Sequence, residues 1–75
     1  MSAELLEAGD TKVKKGRWLY LNTKPAGWFL ITAKWRSEVI SGRNIHVAVN
    51  GRGANYLLDF KPDEKLSLSD RNEAG

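Results

Sequence analysis

The sequence predicts an all-β fold. The expected form is a small antiparallel meander of four to five strands, an SH3-like barrel or a strongly curled sheet, with a short N-terminal helical turn. Three observations carry this. From residue 17 onward, β-branched and aromatic residues gather in four runs. The gaps between them, "TKPA", "ISGR" and "GRGA", are short and rich in turn formers, which suits hairpins and leaves no room for crossover helices. One end of the sheet also reads as apolar on both faces, which a flat sheet wet on one side does not show.

Taken in order, "SAELLEAG" reads as a helical turn or two within an acidic segment, residues 1–11. Ser2 would cap it, Glu4 and Glu7 suit its first turns, and Gly9 would end it. Residues 12–62 form the β domain. Its strands are expected at "RWLYLN" (17–22), "GWFLITAKWRSEV" (27–39), "NIHVAVN" (44–50) and "NYLLDF" (55–60). Residues 63–75 read as an acidic tail, partly disordered, in which "DEKLSLSD" can supply one more short element.

Alternation sets the registers. A three-residue turn at Ser41–Arg43 aligns Trp35 with Val49. It puts Phe29, Ile31, Ala33, Trp35 and Val39 on one face with Ile45, Val47 and Val49. An even loop after Asn50 adds Tyr56, Leu58 and Phe60 to that face. If the loop is Gly51 to Ala54, His46 lies opposite Asp59 on the outer face; a two-residue turn at Asn50–Gly51 would break that pair. In the first hairpin, a four-residue loop puts Trp18 and Tyr20 in the core. Leu19 and Leu21 then meet Trp28 and Leu30 on the opposite face.

Composition narrows the function. The 75 residues make one small domain, which buries only about 60–65% of its unfolded surface. There is no cysteine and one histidine, so disulfides, thiolate chemistry and a metal cluster are excluded, and no cofactor is expected. The acidic N-terminus does not resemble a signal peptide and no apolar run reaches membrane-spanning length, which predicts a cytoplasmic protein without a membrane partner. The formal net charge is +3. Residues 12–52 hold nine Lys or Arg against Glu38 alone, between two acidic ends. Such a field attracts anionic partners.

No catalytic residue is assigned. His46 with Asp59 reads as a cross-strand hydrogen bond, since no expected register sets a serine beside it. "GRGA" reads as a hairpin turn, because it lacks the spacing and following helix of a phosphate loop. The leading expectation is therefore a regulator that binds nucleic acid and is not an enzyme. Lys12, Lys14, Lys15, Lys34, Arg36, Arg43 and Arg52 would neutralise phosphates, and Trp28 or His46 would stack on bases. The alternative is a protein-interaction module docking on a larger enzyme, anchored by Leu19, Leu21, Trp28 and Leu30, or a homo-oligomer sealed by the same patch.

Overall fold

The computed structural model describes residues 3–22, 26–37 and 44–73. They form one antiparallel sheet of six strands: β1 (Glu4–Glu7), β2 (Trp18–Leu21), β3 (Gly27–Arg36), β4 (Ile45–Gly51), β5 (Ala54–Phe60) and β6 (Lys65–Ser69). Their spatial order is β1-β6-β2-β3-β4-β5, with β1 and β5 at open edges, so the sheet is not closed into a barrel. There is no helix among the described residues, hence none long and apolar enough to cross a membrane.

The expected helical turn is a strand instead. Glu4 to Glu7 pair with Leu68 to Lys65 along β6. A helix of one or two turns would carry its full nucleation cost for few internal bonds, whereas an edge strand uses the ladder of a partner. Leu6 then packs on the core while Leu5 points out. Ser2, the expected cap, lies outside the described residues.

The strand count rises to six because β6 forms between β1 and β2. Alternation in "KLSLS" sends Leu66 and Leu68 inward, and Leu68 sits opposite Leu19. Only residues 61–64 join β5 to β6, yet three strands separate the two along the sheet. Neighbouring strands lie ~4.8 Å apart, so a flat sheet would demand a jump of about 19 Å. The five Cα steps of this link reach at most about 17 Å. The sheet therefore curls. The link is itself a turn, with Glu64 N–H donating to the Lys61 carbonyl at 3.1 Å, and it accepts bonds from Ala8 and Gly9 just beyond β1.

The core lies inside this curl. Leu19, Phe29, Ile31, Ile45, Val47, Val49, Leu66 and Leu68 fill it, and Ala8 and Val13 join from the β1–β2 connection. Leu6, Leu21, Tyr56, Leu58 and Phe60 line its margin. Phe29 meets Tyr56 edge to face at 5.6 Å, the arrangement that aromatic quadrupoles favour.

Two registers depart from expectation. In the first hairpin Leu19 faces Phe29 and Leu21 faces Gly27. Five residues, 22–26, separate the paired positions where four were expected. An odd change in loop length turns every side chain over. Leu19 and Leu21 thus belong to the core, and Trp18 and Tyr20 share the outer face with Trp28 and Leu30.

The second departure is a β-bulge at Thr32. Ile31 pairs with Val49 and Ala33 with Ala48, leaving Thr32 as an extra residue whose hydroxyl donates to the Ala48 carbonyl at 3.2 Å. Beyond it the faces exchange. Lys34 and Arg36 pair with Val47 and Ile45 on the inner side, while Trp35 pairs with His46 on the outer side and is 45% exposed. Trp35 is therefore not a core residue, and Lys34 and Arg36 are not on the outer face. The expected turn at Ser41–Arg43, with Val39, lies outside the described residues; the strand before it ends at Arg36.

The last hairpin follows expectation. Gly51 pairs with Ala54 across an Arg52–Gly53 turn, and Tyr56, Leu58 and Phe60 face Val49, Val47 and Ile45. Both turn residues have positive φ, 51° at Arg52 and 76° at Gly53, as a two-residue turn compatible with strand twist requires.

Candidate functional site

The outer face carries two side-chain clusters. The first lies where β2 and β3 run side by side. Trp18 sits opposite Leu30, and Tyr20 opposite Trp28. The Tyr20 and Trp28 rings are 5.3 Å apart and tilted by 57°. Trp18, Trp28 and Leu30 floor a cleft of about 380 Å³ whose walls include Asn50, Arg52 and Asn72.

Arg52 reaches this cleft from the β4–β5 turn. Its guanidinium passes over Gly27, where a Cβ would lie 3.2 Å from Nη2 and 3.4 Å from Nε. Gly27 also has φ 132°, a conformation that side chains disfavour. Glycine at 27 thus leaves room for a cation beside the Trp28 indole. Arg52 holds a left-handed backbone in which a non-glycine residue is strained, a feature that collects at functional positions. Asn50 and Asn55 tie the rim of the same turn, Nδ2 donating to Oδ1 at 2.7 Å.

The second cluster lies at the far end of β3, β4 and β5. His46 is opposite Asp59, with Nδ1 and Oδ1 2.6 Å apart, as the four-residue span Gly51 to Ala54 implies. The Trp35 indole stacks on the imidazole at 5.6 Å and 26°. The other imidazole nitrogen, Nε2, lies 2.9 Å from Ser37 Oγ. The bulge at Thr32 brings Trp35 and Ser37 onto this face.

The basic residues do not gather on the outer face. Lys34 Nζ donates to the Asp10 carbonyl at 2.8 Å on the inner side. Desolvation lowers the Lys34 pKa, opposed by nearby Asp10 and assisted by the neighbouring charge of Arg36. Arg36 points toward Gly9, whose Cβ would lie 3.4 Å from its Nη2. Lys12, Lys14 and Lys15 are exposed on the connection between β1 and β2. In that connection Arg17 is taken up structurally, 3.2 Å from both Glu4 and Asp70 and donating to the Lys12 carbonyl. Arg43 lies outside the described residues.

Of the residues singled out from sequence, the structure therefore unites Trp28, Leu30 and Arg52, and places His46 on the same face farther along. Trp18, Tyr20, Trp35 and Ser37 complete the two clusters and were not assigned there. A five-residue first loop would have revealed Trp18 and Tyr20. The bulge has a weaker signal: two cations, Lys34 and Arg36, alternate with an indole and a hydroxyl, and long cationic stems suit the rim of a core.

The architecture defines a one-sheet all-β domain with an aromatic outer face. No family model matches the chain, and no curated protein or solved structure shows significant similarity to it.

Proposed function

We propose that the chain binds single-stranded nucleic acid on its outer face. The observation that carries this reading is the open Tyr20–Trp28 pair with the Arg52 guanidinium in the adjoining cleft. Stacking on tryptophan and tyrosine needs unpaired bases, because a duplex hides their faces. Arg52 supplies the nearby positive charge for a backbone phosphate. The exposed Lys12, Lys14 and Lys15 add to the attracting field without lying in the cleft.

A second reading, protein docking, draws on Leu5 and Leu57, which are 64% and 61% exposed and lie outside the cleft. A partner chain, or another copy of this one, would bury such aliphatic surface, whereas base stacking does not.

The test is titration of tryptophan fluorescence with an unstructured oligonucleotide, repeated across salt concentrations. Binding should weaken as salt rises. Trp28→Ala should reduce affinity about 5- to 150-fold, corresponding to the ~1–3 kcal/mol typical of one stacked base. Arg52→Ala should flatten the salt dependence by about 0.7 in log–log slope, the share of one single-strand phosphate. No binding at low salt, or binding indifferent to Trp28→Ala, would overturn the proposal. A concentration-dependent mass in sedimentation that Leu57→Asp abolishes would favour protein docking.

A further inference from the structure

We propose that Ser37, His46 and Asp59 form a nucleophilic relay that transfers the acyl group of a small ester to water. The relay stands apart from the nucleic-acid cleft and is defined by how the three side chains connect. Ser37 Oγ lies 2.9 Å from His46 Nε2, and His46 Nδ1 lies 2.6 Å from Asp59 Oδ1. A carboxylate only accepts, so the proton between Asp59 and His46 sits on Nδ1. In the neutral ring, Nε2 is then left to accept from the Ser37 hydroxyl. This is the arrangement in which a serine becomes a nucleophile: base within reach of the hydroxyl, and a carboxylate fixing the tautomer of the base.

Rigid elements hold the geometry. His46 and Asp59 sit on directly paired positions of β4 and β5. Ser37 follows β3 immediately and donates its N–H to the carbonyl of Asn44, the residue before β4, at 2.9 Å. The Trp35 indole restrains the imidazole plane by stacking on it.

Ala48 and Leu57, paired across β4 and β5 on the same face, give the acyl chain an apolar shelf.

The chemistry balances with water as co-reactant. Ser37 Oγ bonds to the ester carbonyl carbon while its proton passes to Nε2. The carbon–alkoxy bond breaks, and the alcohol leaves with that proton. Water then gives a proton to Nε2 and bonds to the acyl carbon. The Oγ–carbon bond breaks, the carboxylic acid departs, and the proton returns to Oγ. Asp59 is a positioning residue and does not touch the substrate.

The experiment is reaction of the full chain with a fluorophosphonate, read by intact mass and peptide mapping, alongside release of p-nitrophenol from p-nitrophenyl acetate. One adduct per chain on Ser37 is expected. Ser37→Ala should lose it, and His46→Gln should slow it by ~10²- to 10⁴-fold, the usual worth of a general base. Asp59→Asn should slow labelling while leaving the circular dichroism of the fold intact. Asp63→Asn, at an exposed residue of the β5–β6 link outside both clusters, should leave labelling unchanged. Absence of any adduct on the folded wild-type chain would overturn the proposal. So would an adduct elsewhere, or ester hydrolysis that persists in Ser37→Ala, since an imidazole acting alone needs no serine.

Discussion

Gly51→Ala probes the tightest backbone approach to the core. A Cβ at position 51 would stand 2.5 Å from Phe29 Cδ2 and 2.9 Å from Cε2. Ordinary carbon contacts lie at about 3.5–4.0 Å, so roughly 1 Å must be found. The backbone of Gly51 is compatible with a side chain, because its φ is not positive. The adjustment therefore falls on Phe29. That ring is fully buried and edge-on to Tyr56 at 5.6 Å. Overpacking of this kind costs about 1–3 kcal/mol. Alanine restricts the unfolded chain and returns about 0.4–1 kcal/mol of that. A net loss of about 1–2 kcal/mol should lower the Tm by about 4–16 °C at this chain length. Thermal unfolding by circular dichroism reads it directly. Phe29→Leu in the same chain should absorb much of the penalty, with a coupling of about 1 kcal/mol. Gly53→Ala is the control: nothing lies within 4 Å of its Cβ, but φ is 76°. Its penalty is backbone strain of about 1–2 kcal/mol, and Phe29→Leu should not relieve it. A Tm change below about 2 °C for Gly51→Ala, or equal relief of both glycine variants, would refute the packing argument.

Other outcomes follow from the registers and the charges. Leu19→Ala should cost about 2–5 kcal/mol by urea unfolding, as a fully buried leucine does, while Trp35→Ala should stay within about 1.5 kcal/mol because it loses mainly a surface ring contact. Truncation after Glu64 removes β6, the partner of both β1 and β2; the shortened chain should lose its cooperative transition, since the whole stability expected at this size is only about 4–11 kcal/mol. The Lys34 pKa is lowered by desolvation, so between its folded value and 10.5 the unfolded chain binds more protons there. Its contribution to stability should accordingly rise with pH through that window and level off above it. Lys34→Met should erase this rise, measured as the difference between the two Tm-against-pH curves; a difference that stays flat would contradict the desolvation argument.

Much of the β4–β5 hairpin was legible in the sequence. Ile45, Val47 and Val49 alternate cleanly and any even loop gives the shared face, whereas the His46–Asp59 pair hung on the loop being Gly51 to Ala54 and not a turn at Asn50–Gly51. The β2–β3 register was not legible, because "NTKPAG" allows a loop of four or five residues and each choice buries a plausible pair, Trp18 with Tyr20 or Leu19 with Leu21. β1 and β6 depend on each other across about sixty residues. Local composition favours a helix at "AELLEA", and only the distant "KLSLS" ladder outweighs it. The candidate site suffered from the same causes. Its tryptophans and His46 stood out as residue types, but their grouping depended on one loop length and one bulge.

Thr32 acts on β3 as an inserted base acts on a reading frame. Up to Ile31 the odd residues are spelled for the interior; after Thr32 the even ones are. Take position 32 away and Ile31–Val49 and Ala33–Ala48 become consecutive steps of an unbroken ladder, with every later pairing unchanged. The chain should thus tolerate loss of one residue at the bulge, either Thr32 or Ala33, since both deletions leave Lys34, Trp35 and Arg36 opposite Val47, His46 and Ile45. A deletion in β4, which has no spare residue, would instead turn over part of that strand. The bulge is where this molecule can shorten without being rewritten.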